Sequence, residues 1–206
     1  MTSATDVTDS SLTADLEPAA ADGNMSFKAL LEQIQEDWVA HGRDWTKPGF
    51  RAVAVHRYGV WRMGVKAKLL RAPLSILYRM LYRKVRNTYG IELPYTVKLG
   101  RRVVVEHQGN IVVHGYCEIG DDSIIRQGVT LGLRHLDRPL DAPILGKRVN
   151  VGAGAKLFGK ITIGDNVNVG ANAVVLIDVP ADATVVGIPA KILQPKAAGS
   201  GSTSSL

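Results

Sequence analysis

Several things are scarce or missing in this chain of 206 residues. It has one cysteine, Cys117. A lone thiol forms no intrachain disulfide and no cysteine-based zinc cluster, so a disulfide-stapled secreted domain is excluded. No run of 18 apolar residues occurs, so no membrane-spanning helix is predicted. Residues 1–24 lack the basic and apolar regions of a signal peptide. The expected setting is a reducing cytoplasm. Aromatic residues make up only 6%, against 21 glycines.

Acid is absent from residues 50–90, which carry ten basic residues: Arg51, Arg57, Arg62, Lys66, Lys68, Arg71, Arg79, Arg83, Lys84 and Arg86. The formal charge of +6 hides this asymmetry. Five acids and no Lys or Arg fall in residues 1–24, leaving 25 basic and 14 acidic residues in the rest. A basic amphipathic stretch suits peripheral contact with an anionic membrane. Nucleic-acid binding is set aside, because no recognition motif accompanies the charge.

Composition divides the chain into four. Residues 1–24 read as a disordered acidic tail and 194–206 as a flexible Gly/Ser tail. Residues 25–90 read as an α-helical region. Ser26 is an N-cap candidate before the helically spaced Phe27, Leu30, Leu31 and Ile34. A second helix is predicted from about Phe50 to Met63. A third is predicted from Pro73 to about Thr88, with an apolar stripe of Ile76, Leu77, Met80, Leu81 and Val85.

Residues 91–193 follow a different period. Aliphatic residues recur every six positions, often with glycine next: Ile119-Gly120, Ile125, Leu131-Gly132, then Leu145-Gly146, Val151-Gly152, Leu157, Ile163-Gly164, Val169-Gly170 and Val175. Six fits neither a helix nor an alternating strand. It fits a mainly β fold, a parallel β-helix of hexapeptide repeats, with three sixes to a triangular coil. A thin prism has no room for large rings, which accounts for the few aromatics. Two breaks interrupt the register. Val105 to Val113 is eight residues, two more than six, and Leu131 to Leu145 is fourteen, read as two more than twelve. Insertions in repeat scaffolds are where function concentrates.

The first break carries Glu106-His107-Gln108-Gly109 and the second Arg134-His135-Leu136-Asp137-Arg138. Imidazole suits proton transfer near neutral pH, given an acceptor that holds its second nitrogen. Glu92 and Glu106 are candidates for that acceptor. His41 and His56 are read as surface or capping residues, and His114 as structural. No phosphate loop, nucleophile elbow or His-x-x-x-His zinc pair is present.

These residues resemble the serine acetyltransferase family over about Ile91 to Leu193. Val105-Glu106-His107 resembles its Asp-His pair. Arg126-Gln127-Gly128-Val129-Thr130-Leu131-Gly132 resembles its Gln-Gly-Val-Thr-Leu-Gly-Gly stretch, and Gly152-Ala-Gly-Ala-Lys156 and Val185-Val-Gly-Ile-Pro-Ala-Lys191 its later motifs. The resemblance implies a left-handed parallel β-helix and acetyl-CoA as co-substrate, with no metal. It implies direct acetyl transfer to a hydroxyl, with His107 as general base oriented by Glu92. It further implies acetyl-CoA in a groove between neighbouring prisms of a homotrimer or dimer of trimers, against Gly132, Ala153 and Ala171, with Lys156 and Lys191 toward phosphates. Glu106, Arg134 and His135 are expected on the acceptor side. The family's serine-holding Arg-His pair is replaced here by Asp141-Ala142. Ile125-Arg126-Gln127-Gly128-Val129-Thr130-Leu131-Gly132-Leu133-Arg134 also resembles exopolysaccharide acetyltransferases of the colanic acid type. The expected acceptor is therefore a sugar hydroxyl, with L-serine the alternative. A catalytically silent scaffold is the reading from another class.

Overall fold

A computed structural model describes residues 25–193. The two predicted tails, 1–24 and 194–206, lie outside the described residues.

Three helices come first: α1 (Phe27–Ala40), α2 (Pro48–Met63) and α3 (Lys68–Tyr89). The Ser26 hydroxyl accepts from the Ala29 amide at 3.1 Å, so α1 is capped as its sequence predicts. Pro48 begins α2, where a missing N–H costs nothing. α3 departs from expectation. It begins at Lys68, and Pro73 sits inside it. Its predicted apolar stripe is also split. Tyr78 and Val85 are buried and Leu74 and Leu81 half-buried, while Ile76, Leu77 and Met80 face solvent.

From Ile91 the chain winds into a parallel β-solenoid with three faces. The first face stacks β1 (Ile91–Glu92), β4 (Ile111–Val113), β7 (Thr130–Gly132), β10 (Lys156–Phe158) and β13 (Val174–Val175). The second stacks β2 (Lys98–Leu99), β5 (Glu118–Ile119), β8 (Ile144–Leu145) and β11 (Thr162–Ile163). The third stacks β3 (Val104–Glu106), β6 (Ile124–Arg126), β9 (Asn150–Val151), β12 (Asn168–Val169), β14 (Thr184–Gly187) and β15 (Ala190–Leu193). All pairings are parallel except β14 with β15.

The residue two before each repeated aliphatic also points inward. Val97, Val103, Cys117, Ser123, Val129, Val149, Ala155, Val167 and Ala173 are all buried. Ser123 is tolerated there because its Oγ donates to the Gly146 carbonyl and accepts from the Val149 amide. Burial pushes the Cys117 thiol up to about 12, leaving it inert. Corner glycines let successive coils stack closely: a Cβ on Gly120 would lie 2.4 Å from the Gly146 carbonyl oxygen.

The second break differs from its reading. Leu131 and Leu145 occupy consecutive faces, β7 and β8, with no strand between them. The segment therefore adds eight residues to one corner, not two. Residues 133–143 form a projecting loop at the edge between the first and second faces, and Leu136 and Leu140 on it are 92% and 61% exposed.

The helices close the N-terminal end of the solenoid. Asp37 and Arg57 form a buried ion pair at 2.8 Å. Arg57 also donates to the carbonyls of Leu99 and Gly100. His56 Nε2 donates to the Val97 carbonyl at 2.9 Å, and His41 Nε2 accepts from the Val105 amide at 3.2 Å. Backbone groups of the first coil that have no preceding strand thus find side-chain partners. Gly49 of α2 lies against β3 so closely that a Cβ would sit 1.8 Å from the Val105 oxygen.

Candidate functional site

The site is built on the edge between the third and first faces. In regular coils this corner is short: Gly152-Ala-Gly154 and Gly170-Ala-Asn172. In the first coil it is lengthened to hold His107. His107 is exposed and takes a positive φ of 65°, which is costly for a residue with a Cβ. The surrounding backbone imposes it. The Gly109 amide donates to the Tyr89 carbonyl at 2.8 Å and the Ile111 amide to Gly90 at 3.0 Å, clamping the bulge to the end of α3.

Glu92 follows two residues after Gly90, on β1, and is paired in register with Val112 of β4. It is half-buried. Among the described residues, neither Glu92 nor His107 makes a side-chain hydrogen bond or ion pair, so both carry uncommitted polar atoms. Tyr82 of α3 lies near Glu92. Burial first, and then that carboxylate, push the phenol up to about 12.

Below His107 the same corner carries Gln127, Ala153 and Ala171. Their alignment is fixed by Gly154 N to Gln127 O at 2.9 Å and Asn172 N to Ala153 O at 2.8 Å. At about 4.8 Å per coil, a track of about 14 Å runs from His107 to Ala171, narrowing to alanine at its lower end. An extended chain with few branches fits against such a track.

The other expected site residues fall elsewhere. Gly132 is on the far edge of the first face, against the Phe158 ring of the next coil. Arg134 and His135 lie on the projecting loop at that far edge, both exposed, with the stem of Arg134 against Gly159. Within one chain they are therefore a full face away from His107. Lys156, on the first face, gives its ammonium to the Gly128 carbonyl and, at 3.1 Å, to the Thr130 hydroxyl. Lys191 sits exposed on β15 of the third face.

Glu106 is committed to Arg126, whose Nε is 3.0 Å from its carboxylate. Arg126 also donates to Asn150, and Asn150 to Asn168 at 3.1 Å, making a ladder down the third face. Sequence reasoning assigned no such role to Arg126. The signal was available in the spacing: partners one coil apart are 20 residues apart in the first coil and 18 in regular ones, while the projecting loop stretches the Arg126–Asn150 step to 24. The bonds Lys98 to Glu118 and Arg102 to Asp122 follow the same rule.

His114, read as structural, is half-buried against Tyr116, and burial lowers its pKa. A cavity of about 620 Å³ lies between α1, α2 and the second face, lined by Gln33, His56, Arg57, Lys98 and Glu118. The second face is opposite the corner that carries His107, so this cavity is separate from the candidate site. A smaller one, about 440 Å³, lies between α2 and α3 and is bordered by Trp45, Arg51 and Tyr89. Tyr89 is the residue whose carbonyl holds the bulge.

No protein-family model matches the chain. Among curated proteins it is 39% identical over 146 residues to the serine acetyltransferase of Synechococcus elongatus, covering 71% of this chain and 57% of that one. It is 40% identical over 137 residues to the serine acetyltransferase of Staphylococcus xylosus, covering 66% and 63%. The chain thus spans less than two thirds of the length of these relatives. Among solved structures, the serine acetyltransferase of Brucella abortus strain S19 in complex with coenzyme A superposes with a TM-score of 0.65 and 26% identity, over 80% of this chain and 66% of that one. Three helices followed by a solenoid with a histidine-bearing corner, together with these likenesses, make the chain similar to serine acetyltransferases in sequence and fold.

Proposed function

We propose that the protein is an acetyl-CoA-dependent O-acetyltransferase that moves the acetyl group directly from thioester to hydroxyl. The observation that carries this reading is His107 at the head of a corner track that narrows to small side chains. The imidazole takes the hydroxyl proton as the acceptor oxygen attacks the thioester carbonyl. The C–S bond then breaks, and the imidazolium returns the proton to the departing thiolate. Glu92 would hold the second ring nitrogen and stabilise the imidazolium. The coenzyme A complex of the Brucella relative supports acetyl-CoA as donor, and Ala153 and Ala171 leave room for its pantetheine arm against the backbone.

L-serine is the acceptor we propose. The expectation of a sugar hydroxyl in exopolysaccharide synthesis finds no support among the relatives, whose names specify serine. One observation keeps the sugar reading as the second arm of the test. Position 142, where an Arg-His pair would place a side chain, is a buried alanine. The carboxylate and ammonium of serine would then need Arg134, His135 or Asp141 of the loop, held by a neighbouring copy.

A homotrimer supplies that neighbour. One prism's His107 corner would meet the next prism's Gly132 edge and loop, which joins the two halves of the expected residue set. The enzyme's place of work is proposed to be the cytoplasm. The deciding experiment is CoA release by the purified chain with L-serine and, separately, nucleotide sugars. Turnover with L-serine is expected. Turnover with sugars alone would reassign the acceptor, and no turnover with any hydroxyl would refute the enzyme reading.

A further inference from the structure

α3 has two apolar faces. Leu74, Tyr78, Leu81 and Val85 turn toward the rest of the protein. Beside them, on the outward side, Leu69, Leu70, Pro73, Ile76, Leu77 and Met80 share about a third of the circumference, at 100° per residue. These are not half-hidden: Leu69 is 91% exposed, Leu70 65% and Met80 64%. An apolar strip of this length on a soluble surface calls for a partner. The rim is cationic. Lys68, Arg79, Arg83, Lys84 and Arg86 are exposed on the same helix, and α3 contains no acid. Among the described residues, none of these five makes an ion pair.

We infer that the outer face of α3 docks on an anionic lipid surface. The strip lies in the interface, and the long basic side chains reach the headgroups while their stems cover apolar surface. Charge selects this occupant over a second copy of the same face, because an isologous contact would bring two all-cationic rims together. It also selects lipid over nucleic acid, which has no use for an aliphatic strip. The helix lies on the bilayer and does not cross it: no described helix is long and apolar enough to span. This inference is independent of the catalytic reading, since none of these residues belongs to the His107 corner.

The test is partition of the full chain onto vesicles of phosphatidylcholine, with and without about 30% phosphatidylglycerol, at low and high salt. The anionic lipid is expected to raise the partition coefficient at least about tenfold at low salt, and high salt to remove most of that gain. Ile76→Ser with Met80→Ser is expected to reduce binding about tenfold without moving the melting temperature, since both side chains are exposed. Arg79→Gln with Arg83→Gln should weaken binding and flatten its salt dependence. Equal partition onto both vesicle types, or none onto either, would overturn the inference. So would a fall in the lipid-free assembly mass of the Ile76→Ser/Met80→Ser variant, because another copy would then be the occupant.

Discussion

At the scale of the residue, the proposed chemistry rests on one histidine in a left-handed backbone conformation. His107→Ala is expected to lower kcat by about 10² to 10⁴, the usual share of a general base. Its melting temperature should stay close to that of the parent, because the ring is exposed and bonded to none of the described residues. Retention of full activity in a CoA-release assay would refute the assignment. Glu92→Gln tests the orienting role. It should reduce kcat by about 10² or more while leaving CoA binding intact, because an amide cannot stabilise an imidazolium. The bulge that carries His107 was legible in the sequence because a break in a strict repeat marks a place the scaffold does not need. The commitment of Glu106 to Arg126 was not legible from neighbours in the chain, since it is set by stacking between coils. Reading positions 20 apart instead of adjacent ones would have exposed it.

At the scale of the element, the joint between helices and solenoid is polar and buried. Asp37→Ala leaves the Arg57 guanidinium in that joint without its carboxylate, and a loss of about 3–5 kcal/mol is expected in urea unfolding. His56 adds a pH dependence. Burial, reinforced by Arg57, holds its pKa down to about 3, whereas the unfolded side chain titrates near 6.5. The unfolded chain therefore binds the extra proton between these values. Stability is complete above about pH 6.5 and declines by about 1.4 kcal/mol per unit as pH falls toward 3. Burial shifts His41 in the same direction. Urea midpoints at pH 7, 6 and 5 check this, and a flat series would contradict it. None of these roles could be read from the sequence. A buried histidine and a solvated one look alike until their partners are known, and here the partners are backbone atoms some 40 to 64 residues away. The face of α3 failed for a different reason: with apolar residues over about half of its circumference, a helical wheel cannot say which part is covered.

At the scale of the whole molecule, the candidate site is divided between two edges of one face. Assembly should therefore be required for activity. Leu136→Asp with Leu140→Asp, on the projecting loop, is expected to reduce the sedimenting mass from three chains to one. Activity should fall at least about tenfold although His107 is untouched. A monomeric variant with full activity would refute the shared site. The solenoid itself was the most legible feature, because a six-residue period admits few other structures. The second break misled because fourteen residues accommodate either an extra short strand or one long loop. Spacing is silent between these. What decides is whether the intervening residues supply an inward aliphatic with strand partners above and below, and Leu136 and Leu140 have none.

The buried Asp37, His41, His56 and Arg57 have a consequence beyond stability. A stack of parallel coils has no intrinsic stop: its top rung is a template on which another chain's last rung could lie, and so on into a fibril. Here four backbone groups of that top rung, the Val97, Leu99 and Gly100 carbonyls and the Val105 amide, are already bonded by His56, Arg57 and His41. The helices act as an end-stop, confining growth to sideways contact and keeping the prism a finite object. A chain begun at Ile91 would lose that stop and should elongate end to end.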